Sequence, residues 1–90
     1  MKASITGHTY GIGKGIYEFL ETRGYECQGF SRTNGFDIGI KEDRDKIVEL
    51  SHGADIFVNN ATTWNDESQF ELLKAIYEQW SFDTSKIIVN

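Results

Sequence analysis

Three closely spaced glycines after a short apolar run constrain this chain more than any other feature of its sequence. Residues 6–13 read Thr-Gly-His-Thr-Tyr-Gly-Ile-Gly, and they connect the segment Ala3-Ser4-Ile5 to a helical pattern. A strand, a glycine turn and a helix in this order can hold a pyrophosphate against the helix N-terminus, because glycine lets backbone N–H groups approach the phosphates. Glycine also marks ordinary loops, so the pattern alone leaves a plain turn as the alternative.

The rest of the chain alternates between short apolar segments and amphipathic ones. Strands are predicted at residues 2–6, 25–30, 36–38, 55–59 and 86–90. Helices are predicted at residues 12–23 and 41–51, and a third begins near Asp66, which with Gln69 resembles a capping box. This alternation predicts an α/β class, a Rossmann-type doubly wound parallel sheet with helices on both faces. We expect one domain, residues 1–90, with about five strands in the order 3-2-1-4-5.

The apolar residues of the helices predict which faces are buried. The first helix has one face at helical spacing, formed by Ile12, Ile16, Phe19 and Leu20. The third has a wide apolar stripe, formed by Phe70, Leu73, Tyr77 and Trp80 with Leu72 and Ile76 beside them. That stripe is wider than a helix covering a small sheet needs. In the second helix, the charged run at residues 42–46 indicates a solvated face rather than a site.

Charge and cysteine content limit the classes of function. A net charge of −5 and a pI near 4.9 argue against general affinity for nucleic acids or anionic membranes. Cys27 is the only cysteine, which fits a reducing compartment, and we expect the protein to be cytoplasmic. His8 and His52 lie far apart without a cysteine or carboxylate cluster, so no metal site is predicted.

Four segments in register resemble the short-chain dehydrogenase/reductase (SDR) family. They are Thr6-Gly7-x-x-x-Gly11-Ile12-Gly13, Ser31-Arg32, Phe36-Asp37-Ile38 and Asn59-Asn60-Ala61. The resemblance covers the whole chain but only the N-terminal, cofactor-binding half of the family's fold. It implies a set of residues that bind the cofactor pyrophosphate: Gly7, Tyr10, Gly11, Ile12 and Gly13.

The resemblance also implies how the adenosine is held. Asp37, with the backbone of Ile38 beside it, would meet the adenine. The Asn59-Asn60-Ala61 motif would stabilise the sheet and line the ribose side. The family has glycine after this motif, whereas this chain has Thr62, which fits only if the backbone there is unstrained.

Charge at the end of the second strand indicates which cofactor is bound. A carboxylate there would accept from the ribose 2′-OH and repel a 2′-phosphate, but this chain has Ser31-Arg32. A guanidinium pairs a phosphate with two parallel donors. NADP(H) is therefore favoured over NAD(H), the alternative being that Arg32 is only a solvated turn residue.

No catalytic residue is assigned. In the family a serine, a tyrosine and a lysine follow the fifth strand, and this sequence stops at Val89-Asn90. Tyr10 and Lys14 have the family's tyrosine–lysine spacing, but they lie in the glycine turn and the first helical turn. We expect an NADP(H)-binding, SDR-like protein of oxidoreductase type. The alternatives are a non-catalytic nucleotide-binding or oligomerisation module and a fragment of a longer enzyme. We also expect a homodimer or homotetramer through the helix at residues 70–80.

Overall fold

The computed structural model describes residues 1–63, 66–81, 83 and 85–90, except for the Asp66 side chain. The predicted cap by that side chain therefore lies outside the described residues. The elements, in chain order, are β1 (Lys2–Thr6), α1 (Gly11–Thr22), β2 (Glu26–Phe30), a 3-10 turn (Arg32–Asn34), α2 (Lys41–Leu50), β3 (Ile56–Val58), α3 (Asp66–Trp80) and β4 (Ile87–Val89).

The strands form one parallel sheet in the order β2-β1-β3-β4. The α/β class and the Rossmann-like arrangement with helices on both faces are confirmed. β3 is buried along its whole length, as its continuous apolar sequence predicts for a central parallel strand. The order is the predicted one without its third strand, so the described residues form four strands rather than five.

The predicted strand at residues 36–38 is wrong, and the outer edge of β2 shows why. Glu26 N donates to Met1 O and Phe30 O accepts from Gly7 N, at the two ends of β1, so the carbonyls of the alternate residues Cys27 and Gly29 face outward. Cys27 O accepts from the Tyr17 hydroxyl at 3.3 Å, and Gly29 O accepts from the Asn34 side chain at 2.8 Å. Since side chains already occupy these carbonyls, residues 36–38 run past β2 as a loop.

The sheet has a core on each face. On the α1 side, Ala3 and Ile5 of β1 pack with Ile56 and Val58 of β3. The opposite side is larger and is covered by α2 and α3 around the fully buried Phe57. β1 turns its alternate residues Ser4 and Thr6 towards that second side, where both are completely buried.

The apolar face predicted for α1 is correct only in part. Ile16 and Leu20 pack on the sheet, but Ile12 is 76% exposed and Phe19 is 55% exposed. Gly13 is the one buried residue of this helix. Close approach at Gly13 turns the helix so that Tyr17, rather than Phe19, completes the packed face.

The wide stripe of α3 divides into a buried part and an exposed part. Leu72, Ile76 and Trp80 enter the core, whereas Phe70 is 60% exposed and Tyr77 is 64% exposed. At 15 residues α3 is the longest helix, and no helix in the described part of the chain could cross a membrane.

Cys27 is half-buried in β2, with its thiol 3.8 Å from the carbonyls of Tyr17 and Tyr25. Burial raises the pKa of this thiol, and the nearby Glu21 carboxylate raises it further. The thiol therefore stays protonated at neutral pH, as expected for a cysteine that serves packing.

Candidate functional site

A cleft of about 310 Å³ opens at the carboxyl ends of the strands. The loop after β1, the connection from β2 to α2 and the residues after β3 form its walls. From β1 the chain crosses to β2 on one side, and it later returns to β3 on the other. Ligands of open α/β sheets bind at such a topological switch point, so this cleft is the candidate site.

All but two of the site residues named from the sequence line this cleft. They are Gly7, Tyr10, Gly11, Ile12, Ser31, Arg32, Asp37, Ile38, Asn60 and Ala61. The other two, Gly13 and Asn59, lie behind the cleft wall. Five further lining residues were not assigned to the site from the sequence: Thr9, Thr33, Phe36, Thr62 and Thr63. Thr9, Phe36 and Thr62 lie within or directly after the motifs named above, whereas Thr33 and Thr63 carry no signal of their own.

The glycines of the turn after β1 are needed for two reasons, backbone conformation and close packing. Gly7 and Gly11 have φ values of +68° and +61°, in the left-handed region that favours glycine. Gly13 is needed for close packing, because a Cβ atom there would lie 2.0 Å from the Gly7 carbonyl oxygen. The φ values therefore fit a tight turn after β1, and the short Cβ distance fits close packing of α1 against that turn.

The N-terminus of α1 opens into the cleft without a protein cap. The helix begins at Gly11, its N-cap residue Tyr10 makes no side-chain cap bond, and its first turn has no acidic residue. The first N–H groups of an uncapped helix lack intrahelical partners and carry partial positive charge. A pyrophosphate fits this donor set, since its oxygens could accept from those N–H groups.

The Thr6 hydroxyl, at the end of β1, forms hydrogen bonds to the end of β3 and to the cleft-lining residues that follow it. It donates to Val58 O at 3.3 Å and accepts from the backbone N–H groups of Asn60 and Ala61 at 3.0 and 2.9 Å. The Asn60 side chain then donates to Gly7 O at 3.2 Å. The glycine turn and the residues after β3 are therefore held in one fixed arrangement.

Asn59 is fully buried and connects three elements rather than facing the cleft. Its side-chain amide donates to Gln69 O at 3.2 Å and to Asn90 Oδ1 at 2.9 Å. Gln69 returns a bond to Asn59 O at 3.0 Å. This arrangement agrees with a sheet-stabilising role for Asn59.

Thr62, in place of the family's glycine, causes no strain, because no described residue other than glycine has a positive φ.

Arg32 is the only cation among the described residues that line the cleft. It is exposed at the start of the 3-10 turn and has no carboxylate partner within the described residues. The turn itself is rigidly held, because Ser31 N donates to Asn34 Oδ1 at 2.8 Å and the Ser31 and Thr33 hydroxyls lie 2.6 Å apart. The guanidinium is thus free to pair with an anion.

Two residues of the charged run in α2 contact the site, contrary to the prediction of a solvated face. Asp43 accepts from Asp37 N at 3.0 Å, and Arg44 donates to Ile38 O at 2.8 Å. Both are half-buried, whereas Asp45 is exposed and pairs with Lys41. The helix dipole does not single out Arg44 in the sequence, because Lys41 lies still closer to the N-terminus of α2 and is exposed.

The Tyr10 and Lys14 pair shows no arrangement for proton transfer. Tyr10 is 74% exposed, and the Lys14 ammonium lies 3.8 Å from the Glu18 carboxylate on the outer side of α1. The Lys14 side chain thus pairs with a residue of its own helix.

Comparison with solved structures supports the fold. The chain is similar to the crystal structure of the 3-alpha-hydroxysteroid dehydrogenase from Pseudomonas sp. B-0831 complexed with NADH, with a TM-score of 0.71 and 21% sequence identity. The match covers 97% of this chain and 41% of that dehydrogenase, so the chain spans less than half of its length. No protein-family model matches the sequence, and no curated protein matches it significantly.

Proposed function

We propose that residues 1–90 form a nicotinamide dinucleotide-binding unit of SDR-like oxidoreductase type that favours NADP(H) over NAD(H). The observation that carries the proposal is the single cleft where the uncapped α1 N-terminus, Arg32, Asp37 and Asn60 come together. The similar dehydrogenase was crystallised with NADH, which supports a dinucleotide of this class here. Because the two sequences are only 21% identical, we argue the preference between NADP(H) and NAD(H) from the residues of this chain alone.

Each wall of the cleft would hold one part of the cofactor. The glycine turn, through Gly7, Gly11 and the first N–H groups of α1, would bind the pyrophosphate. Arg32 would pair with the ribose 2′-phosphate, and Asp37 with Ile38 would meet the adenine. A bound nicotinamide supplies hydride exchange, while the chain's own residues bind and orient the cofactor. The single cysteine fits a reducing compartment, and we propose the cytoplasm as the location.

Titration with NADPH and with NADH, followed by tryptophan fluorescence, tests the proposal. We expect NADPH to bind at least several-fold more tightly, because a charge-assisted contact contributes about 1.5–3 kcal/mol. Absence of binding by either dinucleotide at millimolar concentration would overturn the cofactor assignment. Oxidation of NADPH in the presence of carbonyl compounds then separates an oxidoreductase from a module that only binds nucleotides.

An assembly role is favoured by one further observation, the exposed part of the α3 stripe. Phe70 and Tyr77 are both more than half exposed on the same side of the helix. In the SDR family the helices on this side form a four-helix interface between subunits, and we propose that a second copy of this chain covers the stripe. We expect sedimentation equilibrium at micromolar concentration to give a dimer or tetramer mass.

Tyr77→Lys should shift that equilibrium to the monomer, because it places an ammonium in an apolar contact. Glu71→Gln, an exposed change of one charge unit elsewhere on α3, is the matched control and should leave the mass unchanged. A monomer mass for the unmodified chain would contradict the proposed assembly.

A further inference from the structure

Residues 36–40 form a loop that lies outside the described strands and helices, and its first three residues, 36–38, form one wall of the cleft. In the predicted five-stranded sheet, bonds to β2 would have positioned this segment. Without that pairing, the backbone of the loop needs other partners to stay in one conformation. Whatever supplies these bonds therefore determines how precisely this wall can recognise a ligand.

Two side chains from the beginning of α2 supply the bonds. Asp43 Oδ2 accepts from Asp37 N at 3.0 Å, and Arg44 Nη1 donates to Ile38 O at 2.8 Å. Within the loop, Ile40 N donates to Asp37 O at 3.0 Å and closes a turn. Bonds in which one partner is charged are shorter and stronger than neutral ones, so these two side chains hold the loop firmly. Neither Asp43 nor Arg44 lines the cleft.

This arrangement leaves an acceptor and a donor unused on adjacent residues. Asp37 uses Oδ1 to accept from Gly39 N at 2.8 Å, and its Oδ2 has no hydrogen-bond partner within the described residues. The Ile38 N–H also lacks a partner in that part of the chain. An acceptor beside a donor complements adenine, which presents an amino group at C6 and an acceptor at N1. A 6-oxopurine such as hypoxanthine presents the reverse order.

We propose that Asp43 and Arg44 are positioning residues that fix loop 36–40 and thereby make the cleft selective for adenine over a 6-oxopurine. The inference rests on the proposed dinucleotide function and deepens it. A cation near the N-terminus of α2 opposes the helix dipole, and the hydrogen bond from Arg44 to the Ile38 carbonyl offsets that unfavourable interaction. Selectivity follows because a mispaired site leaves buried polar groups unsatisfied.

The test compares the dissociation constants of NADPH and of its analogue with hypoxanthine in place of adenine. The unmodified chain should bind NADPH at least about tenfold more tightly, since both hydrogen bonds reverse in the analogue. Asp43→Ala and Arg44→Met should each weaken NADPH binding about tenfold and change analogue binding little. The ratio of the two dissociation constants, analogue over NADPH, should therefore fall towards one. Asp43→Asn and Arg44→Lys keep an acceptor and a donor, so they should retain most of the ratio.

Matched controls come from the exposed part of the same helix. Asp45→Ala and Lys46→Met make the same chemical changes at residues that do not contact the loop, and both should keep the full ratio. If Asp43→Ala and Arg44→Met also keep it, the inference is wrong while the proposed function stands. If they lose both ligands equally, their role is structural only and the inference is again wrong. If the unmodified chain binds neither dinucleotide, the proposed function fails, and the inference fails with it.

Discussion

Replacing Arg32 with aspartate should reverse the cofactor preference, so that the variant binds NADH more tightly than NADPH. Arg32 is the only cation among the described lining residues, and its guanidinium has no carboxylate partner there. Losing a charge-assisted contact to the 2′-phosphate costs about 1.5–3 kcal/mol, which is roughly a 10- to 150-fold loss of NADPH affinity. The new carboxylate would also repel that phosphate and accept from the free 2′-OH of NADH.

Fluorescence titration of both dinucleotides measures the reversal directly. Arg23→Asp is the matched control, because Arg23 is exposed at the end of α1 and packs over Phe19, away from the cleft. That control should leave the affinity ratio unchanged. An unchanged ratio in Arg32→Asp would instead mean that Arg32 is an ordinary solvated turn residue.

Gly13→Ala should have the largest effect on stability. The added Cβ would lie 2.0 Å from Gly7 O and 2.4 Å from the Asn60 side-chain nitrogen. The carbonyl belongs to the glycine turn, and Asn60 is held through Thr6, so neither can move without breaking hydrogen bonds. Overpacking of this kind costs about 1–3 kcal/mol or more. We expect the melting temperature to fall by roughly 10–20 °C and NADPH binding to be lost.

Gly15→Ala provides the control on the same helix, two residues further along. A Cβ at Gly15 meets nothing within 4 Å, so the change should gain about 1 kcal/mol of helix propensity. Thermal unfolding by circular dichroism should therefore shift in opposite directions for the two variants. A melting temperature for Gly13→Ala equal to that of the unmodified chain would contradict the close-packing argument.

The features predicted correctly from the sequence are those that local rules determine. The glycine turn, the buried strand around Phe57 and the alternation of strands and helices depend on residue type and spacing, and all are present. The exposure of Phe19 could not be predicted, because periodicity gives an apolar face but not its exact rotation about the helix axis. Close contact at Gly13 sets that rotation, and this contact is a tertiary property.

The loop at residues 36–38 illustrates a second limit. Its sequence is compatible with a short strand, but the outer carbonyls of β2 already accept from the side chains of Tyr17 and Asn34. The sequence also does not reveal the role of Asp43 and Arg44, because their partners are backbone atoms of that loop. Backbone atoms carry no sequence signature, so a charged run that holds a loop looks the same as one that faces solvent.

The side chains that occupy the outer carbonyls of β2 also affect how the folded protein behaves when concentrated. An unpaired parallel strand is a template for edge-to-edge aggregation, because its free carbonyls can accept from a strand of another molecule. On β2 such a strand would first have to displace the hydroxyl of Tyr17 and the amide of Asn34. These two residues therefore protect that edge of the sheet against self-association without a proline or a bulge.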